Sequence, residues 1–259
     1  MRGTFSAASE QPVSVSVFFP AYGDAQTIGG LVDTAFRTLE TVAPDHEVIV
    51  VNDGSKDNTA EVLAALQQKY GAGRLRIVTH PTNRGYGAAL RSGFAAATKE
   101  FVFYTDGDGQ YDPSEIAKLL SLAGPGVCWV NGYKTSRSDS RHRIVIGALY
   151  NLCAKTLFRI RLRDIDCDFR LIRRSCLDVP ALTATSGTIC LELVRQLETA
   201  GYRAVETPVS HLPRLHGQSQ FFRPLPLLRT FGHIMALYWR IVVRPALALD
   251  TGAAATAPE

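Results

Sequence analysis

The stretch Phe101-Val-Phe-Tyr-Thr-Asp106-Gly-Asp108-Gly-Gln110-Tyr-Asp-Pro113 decides how the rest of the chain is read. Four apolar or aromatic residues run without interruption into two carboxylates one residue apart. A continuous apolar run of this length suits a buried strand of a parallel sheet, which is covered on both faces. Asp106 and Asp108 then stand where the strand ends, and open α/β sheets bind ligands outside the carboxyl ends of their strands. Two acids on a turn loosened by Gly107 and Gly109 can face one hard cation. A magnesium or manganese ion held by one or two carboxylates commonly completes its shell with substrate phosphates. The stretch therefore points to a metal–diphosphate site. The plainer reading, a solvated Asp-Gly turn, needs further motifs to exclude it.

Upstream, strands and helices alternate. Val13–Phe19 reads as a strand stopped by Pro20, and Thr27–Leu39 as a helix with Ile28, Leu31, Val32, Ala35 and Leu39 on one stripe. Glu47–Val51 is a second strand, followed by the turn Asn52-Asp53-Gly54-Ser55 and a helix capped by Asp57 or Asn58 that runs to Tyr70. Leu75–Thr79 is a third strand. Asn83-Arg84-Gly85-Tyr86-Gly87 leads into an Ala-rich helix ending near Lys99. Downstream, Pro113 opens a helix and Gly126–Val130 forms a fifth strand. This alternation predicts an α/β fold, a doubly wound and mostly parallel sheet with helices on both faces. No GxGxxG follows the first strand and no GxxxxGK[ST] occurs, so the common dinucleotide and P-loop fingerprints are absent.

Past residue 133 the pattern changes. Lys134, Arg137, Arg141 and Arg143 lie in a polar stretch that enters a helix through Ile144, Ala148, Leu149 and Leu152. In Arg163-Asp164-Ile-Asp166-Cys-Asp168-Phe-Arg170 the charges alternate, which in an extended segment sets Asp164, Asp166 and Asp168 on one face. A charged edge strand is the structural alternative. Gly187–Ala200 is an amphipathic helix and Arg203–Val209 a last strand. His211–Gln220 is a polar loop with two His, an Arg, a Ser and a Gly, a composition suited to anion contact. The tail from Phe221 to Leu249 has no acidic residue but holds Arg223, Arg229, Arg240 and Arg244 among aromatic and aliphatic residues. It reads as amphipathic basic helices. These either lie in a membrane interface or pack on the domain, and no run is long enough to span a bilayer.

At 259 residues the chain is long enough for a sizeable core. Its net charge of +4 is unevenly spread: residues 1–133 carry 10 Lys/Arg against 14 Asp/Glu, and residues 134–259 carry 18 against 10. The basic half suggests an anionic partner, whether nucleic acid, phospholipid or phosphorylated substrate. The five cysteines are scattered without a CxxC pair and read as reduced residues of a cytosolic protein. The first ten residues lack an apolar core, which argues against a secretory signal.

Taken in order, Phe19-Pro20-Ala21-Tyr22, Val51-Asn52-Asp53-Gly54-Ser55-Lys56-Asp57, Asn83-Arg84-Gly85, Asp106-Gly107-Asp108 and Asp164-Ile-Asp-Cys-Asp168-Phe169-Arg170 resemble the family 2 glycosyltransferases. More narrowly, they resemble the dolichyl-phosphate mannose synthase and polyprenyl-phosphate glycosyltransferase branch. The resemblance implies a GT-A fold over residues 13–220, a flexible 1–12, a basic helical tail over 221–249 and a disordered 250–259.

It also implies roles. Pro20, Ala21, Tyr22, Asp24, Asp53, Arg84, Asp106 and Arg170 would bind a nucleotide-sugar donor. Asp106, Asp108 and Gln110 would hold a divalent ion, Mg or Mn. Lys134, Arg143, Arg214 and Ser219 would meet the phosphate of a polyprenyl acceptor. Asp168, with Asp164 close behind, would act as base or orient the acceptor, and Asp108 joins them among the catalytic acids. Departures are Tyr22-Gly23-Asp24 in place of Tyr-Asn-Glu, and Gln220 in place of a Lys after the Gly-x-Ser element.

The implied activity is inverting sugar transfer to a lipid phosphate. The implied setting is peripheral, at the cytoplasmic face of a membrane, on the bilayer surface or a membrane protein. The competing readings are a family 2 enzyme with a saccharide hydroxyl acceptor and a non-catalytic nucleotide-sugar-binding protein. Nucleic acid is disfavoured, because only the tail interleaves basic and aromatic residues.

Overall fold

A computed structural model describes residues 13–135, 141–178, 182–214 and 224–245. The expectations for residues 1–12 and 250–259 and for Ser219 lie outside these residues. One seven-stranded sheet runs through the molecule in the order β3-β2-β1-β4-β6-β5-β7. Its strands are β1 Val15–Ala21, β2 His46–Asn52, β3 Leu75–Thr79, β4 Phe101–Thr105, β5 Trp129–Lys134, β6 Phe169–Arg173 and β7 Ala204–Val209. The helices are α1 Ile28–Val42, α2 Thr59–Tyr70, α3 Tyr86–Ala96, α4 Ile116–Leu120, α5 Arg141–Phe158, α6 Thr188–Thr199 and α7 Pro224–Tyr238.

Strands β1 to β4 pair in parallel, as the buried apolar runs require, since strands covered on both faces need no polar alternation. Two apolar layers cover the sheet. One joins the α1 stripe (Ile28, Leu31, Val32, Ala35, Phe36, Leu39) to Val15, Val17, Phe19, Phe103 and Phe169. The other joins Phe18, Val102, Tyr104 and Trp129 to Ala154 and Phe158 of α5, the buried face of α6 and Leu237 of α7. Truncating any fully buried member, such as Leu39, costs about 2–5 kcal/mol.

Four expectations are corrected. Strand β1 does not stop at Pro20 but continues to Ala21. Pairing with β4 has already ended at Phe18, so on that side the prolyl nitrogen, with no hydrogen to donate, leaves no bond unmade. The fifth strand starts at Trp129, not Gly126, because its extent follows β7, from Trp129 opposite Ala204 to Lys134 opposite Val209. Pro113 opens a single 3₁₀ turn, Pro113–Glu115, capped by the Asp112 side chain, before the short α4. Finally, Cys128 and Cys176 are not two separate reduced thiols. Their sulfurs are paired as a disulfide with Cα atoms 6.1 Å apart, a spacing that a disulfide spans. Cys167 and Cys190 are free and buried, whereas Cys153 is free and exposed.

The tail forms α7, continued by a π-helical turn, Trp239–Val243. It is not simply amphipathic. Ile234, Leu237, Tyr238, Ile241 and Val242 pack on the second layer, while Phe231, Met235 and Trp239, four residues apart, stay exposed on another face. Among the described residues no helix is long and apolar enough to cross a membrane.

Candidate active site

The decisive strand is β6. It runs antiparallel to β4 in a register that sets Thr105 opposite Phe169. Its beginning therefore lies beside the end of β4, and Asp168 arrives next to Asp106. Asp24 joins from the loop after β1. Gly107 lets this happen, because a Cβ there would lie 2.6 Å from Pro20 O and 3.2 Å from Asp24 Oδ2. Thr27 Oγ1 donates to Gly107 O at 2.6 Å and ties the two loops together.

The carboxylates repel one another in low dielectric. Burial, and then the charges of Asp168 and Asp108, hold the Asp106 carboxyl well above the usual carboxylate range, against a hydrogen bond from Tyr86 Oη at 2.6 Å. Burial raises Asp24 to about 6, with Asp108 adding to the rise and the Tyr22 amide opposing it. Each neighbouring anion disfavours ionisation of the others. A cation here would be stabilised by the same field.

One cation is already in place. The Arg214 guanidinium pairs with Asp108 Oδ2 and reaches Gln110 Oε1 at 3.2 Å. Asp108 and Gln110 thus turn their oxygens to the same positive group. Among the described residues no three His, Cys, Asp or Glu side chains converge to ligate a metal by themselves. Two carboxylates and an amide oxygen still fit a magnesium- or manganese-type ion, whose remaining positions are ordinarily filled by water and substrate phosphates.

The expected single face of Asp164, Asp166 and Asp168 is not formed. The chain turns at Ile165 and Asp166 before β6 begins, because Ile165 and Cys167 bury in opposite layers of the core. Asp164 is buried, accepts from Asn151 Nδ2 at 3.3 Å and lies 3.8 Å from Lys134 Nζ. Asp166 is exposed, 3.6 Å from the same ammonium. Only Asp168 faces Asp106.

Arg170, expected to bind the donor, has a side chain that is 0% exposed. Its Nη1 donates to Asp168 Oδ1 at 2.9 Å and also to Tyr104 Oη, its Nε donates to Asn131 Oδ1 at 2.7 Å, and its Nη2 donates to Ile165 O. These bonds hold the Asp168 carboxylate in place at the start of β6. The carboxylate of Asp53 is likewise turned inward: Oδ1 accepts from His80 Nδ1 at 2.6 Å and from the Arg84 amide at 2.9 Å, and Oδ2 accepts from the Gly85 amide at 2.9 Å. It shapes the 83–85 loop rather than opening to solvent.

Pro20 and Ala21 are buried at the end of β1, whereas Tyr22 is 45% exposed. The Arg84 side chain is exposed at the rim. Lys134 is committed to the Asp164–Asp166 turn, with Nζ donating to Asp166 O at 2.5 Å. Arg143 falls in the first turn of α5, and the expectation for its side chain lies outside the described residues.

Two neighbours were not anticipated. Tyr86 Oη holds Asp106, and the thiol of Cys190, in the first turn of α6, is pushed upward by burial and by the charge of Asp168. Tyr86 was visible beside the glycines of Asn83–Gly87. Those glycines have steric reasons: Gly85 has φ +91°, and a Cβ there would lie 2.5 Å from Thr185 O. No local signal marked Cys190.

The sequence of residues 16–179 matches the model of Glycosyl transferase family 2. The chain belongs to that family. A relative, the undecaprenyl-phosphate 4-deoxy-4-formamido-L-arabinose transferase of Enterobacter sp. (strain 638), is 28% identical over 242 residues, spanning 86% of this chain and 72% of the relative. The fold is also that of glucosyl-3-phosphoglycerate synthase from Mycobacterium tuberculosis. In the complex of that enzyme with Mn2+ and UDP-glucose the TM-score is 0.64 at 21% identity, covering 88% of this chain and 78% of the other. Its complex with Mg2+ and UDP gives 0.62 at 20% identity over 88% and 79%. This family 2 glycosyltransferase therefore has a GT-A-like fold, with Asp24, Asp106 and Asp168 at the carboxyl ends of the central strands β1 and β4 and the start of β6.

Proposed function

We propose that this glycosyltransferase moves a sugar from a nucleoside-diphosphate donor to a polyprenyl phosphate, with inversion at the sugar carbon and with Mg or Mn. The observation that carries the reading is the convergence of Asp106, Asp108 and Asp168 at one sheet edge. The acceptor class is supported by the undecaprenyl-phosphate relative. It is supported also by the exposed Phe231, Met235 and Trp239 on a helix from a tail that carries arginines and no acid. Such a face suits an anionic lipid surface.

Asp106, Asp108 and Gln110 would hold the divalent ion. That ion supplies Lewis-acid neutralisation of the charge that gathers on the departing diphosphate. The exposed Tyr22 and Arg84 flank the donor, while Asp53 keeps the 83–85 loop in shape through the Arg84 and Gly85 amides. An acceptor phosphate oxygen attacks the sugar carbon opposite the leaving diphosphate; the new carbon–oxygen bond forms as the carbon–diphosphate bond breaks. A phosphate monoester has a second pKa near ~6, so it arrives largely ionised and needs placement more than deprotonation. Asp168, fixed by Arg170, takes the last proton from acceptor that arrives as the monoanion and faces the positive sugar carbon.

The test is transfer by purified protein across UDP- and GDP-sugars, with and without polyprenyl phosphate. An organic-extractable product that disappears with EDTA is expected. Transfer only to a saccharide, or turnover unaffected by EDTA, would overturn the reading.

A further inference from the structure

Arg214 does two things that a simple phosphate-binding arginine would not. It reaches across the sequence to the oxygens of Asp108 and Gln110, and its backbone segment is moored to the same turn. Leu212 N donates to Gln110 O at 2.8 Å, and Gln110 Nε2 donates to Leu212 O at 3.3 Å. His211 stacks edge-on against Tyr111 with ring centroids 5.3 Å apart. The 211–214 segment is thus laid over the 108–111 turn, and its terminal cation is delivered to Asp108 Oδ2 and Gln110 Oε1.

Those are two of the oxygens assigned above to the divalent ion. One nitrogen of the guanidinium, Nη2, contacts both oxygens, and so occupies the place between them that a divalent cation ligated by both at about 2.0–2.2 Å would take. The two positive groups compete for that place and repel each other there. We propose that Arg214 and the divalent cation are exchange partners on Asp108 and Gln110, and that the cation's arrival hands the guanidinium to a substrate phosphate. This rests on the metal reading of Asp106, Asp108 and Gln110.

The charges favour a swap rather than a loss. Asp168 keeps its own cation, Arg170, which is buried. Asp24 accepts from the Tyr22 amide at 2.9 Å and Asp106 from Tyr86 Oη at 2.6 Å, neither of them a cation. Replacing one positive charge by two at this edge satisfies more of the carboxylates. The displaced guanidinium stays within a side chain's length of the ion, because Leu212 remains tied to Gln110. A planar fork freed beside a diphosphate or a lipid phosphate is well suited to bidentate contact. Metal and phosphate binding then become coupled, each strengthening the other through one residue.

The experiment measures Mn2+ affinity of the full chain by the EPR signal of free Mn2+, without nucleotide. It compares wild type, Arg214→Gln, Arg214→Lys and Asp106→Asn, each checked for native melting. Arg214→Gln is expected to bind Mn2+ about tenfold more tightly than wild type, a coupling typical of linked sites. Arg214→Lys, a point charge without the fork, should lie between. In parallel, 31P NMR follows inorganic phosphate with and without Mg2+. Addition of Mg2+ should raise phosphate affinity several-fold more in wild type than in Arg214→Gln.

Unchanged or weaker Mn2+ binding by Arg214→Gln, with binding lost in Asp106→Asn, would overturn the exchange and leave the metal site standing. Equal Mn2+ affinity in wild type and Asp106→Asn would remove the metal site and the exchange with it.

Discussion

Two groups of aspartates share one edge of this sheet and are treated in opposite ways. Asp164, Asp166 and Asp168 each have a resident cation, Lys134 for the first two and Arg170 for the third. Asp24 and Asp106 are pressed together with Asp108, and both carboxyls are raised. The first group is settled as the chain folds and fixes geometry. The second is left with carboxyls whose ionisation the fold opposes, at the place where the proposed metal would favour it. Among the described residues, the basic half of the chain reaches this second group through Arg214.

The contrast can be broken most forcefully at Arg170. Arg170→Met strands Asp168, Asn131 and the carbonyl of Ile165, and removing one partner of a buried ion pair costs about 3–5 kcal/mol. Chemical denaturation should show a loss of this size; a loss below ~1 kcal/mol would mean that Asp168 is not settled by its arginine. At Asp106 the opposite is expected. Asp106→Asn should keep or raise thermal stability, because it removes a buried carboxyl whose ionisation the fold disfavours, yet lower transfer by more than about a hundredfold, beyond the usual cost of losing a metal's supporting residues. Wild-type turnover in this variant would place this carboxyl outside the chemistry.

Smaller effects sharpen the picture. Trp239→Ser removes one large exposed apolar side chain without touching either carboxylate group. Burying such a side chain contributes about 1.5–3 kcal/mol, so binding to anionic vesicles should fall by about tenfold or more, with donor binding unchanged. Equal vesicle binding would take the membrane role away from this face. The smallest effect is at Asp24. Its carboxyl is raised from 3.8 to about 6, so the native state holds a proton that the unfolded chain releases first. The stability this gives is full below pH 4 and is lost as pH rises through 6. Asp24→Asn should therefore match wild type in melting temperature near pH 4 and exceed it increasingly up to pH 7. A constant difference across that range would show that Asp24 is not under strain from its neighbours.

Strands β1 to β4, with α1 to α3, were legible because apolar runs and helical stripes alternate there, each read from local pattern alone. The position of Asp106 and Asp108 just past β4 followed from the apolar run that precedes them. What local pattern does not carry is direction. The residues Asp164–Arg170 alternate in charge, yet two of the intervening residues, Ile165 and Cys167, bury in different layers, and that choice turns the chain. The antiparallel course of β6, and with it the meeting of Asp168 and Asp106, depends on a register spanning more than sixty residues. Arg170 left a readable trace: it sits in Phe169-Arg-Leu-Ile172, an arginine inside an apolar strand, where a fully paired buried guanidinium is the natural solution. Cys190 left none, since a cysteine on the buried side of an amphipathic helix looks the same whatever it packs against.

The contact between α7 and α6 changes what the tail is. Arg240 reaches Glu192, which is only 1% exposed and which also accepts from the amides of Thr183 and Ala184. That segment in turn abuts Gly85 and Gly87 at the entry to α3. The last helix is thus a keystone rather than a detachable address label. Cutting the chain ahead of it would leave Glu192 without this guanidinium and loosen the wall of the catalytic edge, so a shortened, more soluble version would be a different enzyme and not the same one set free.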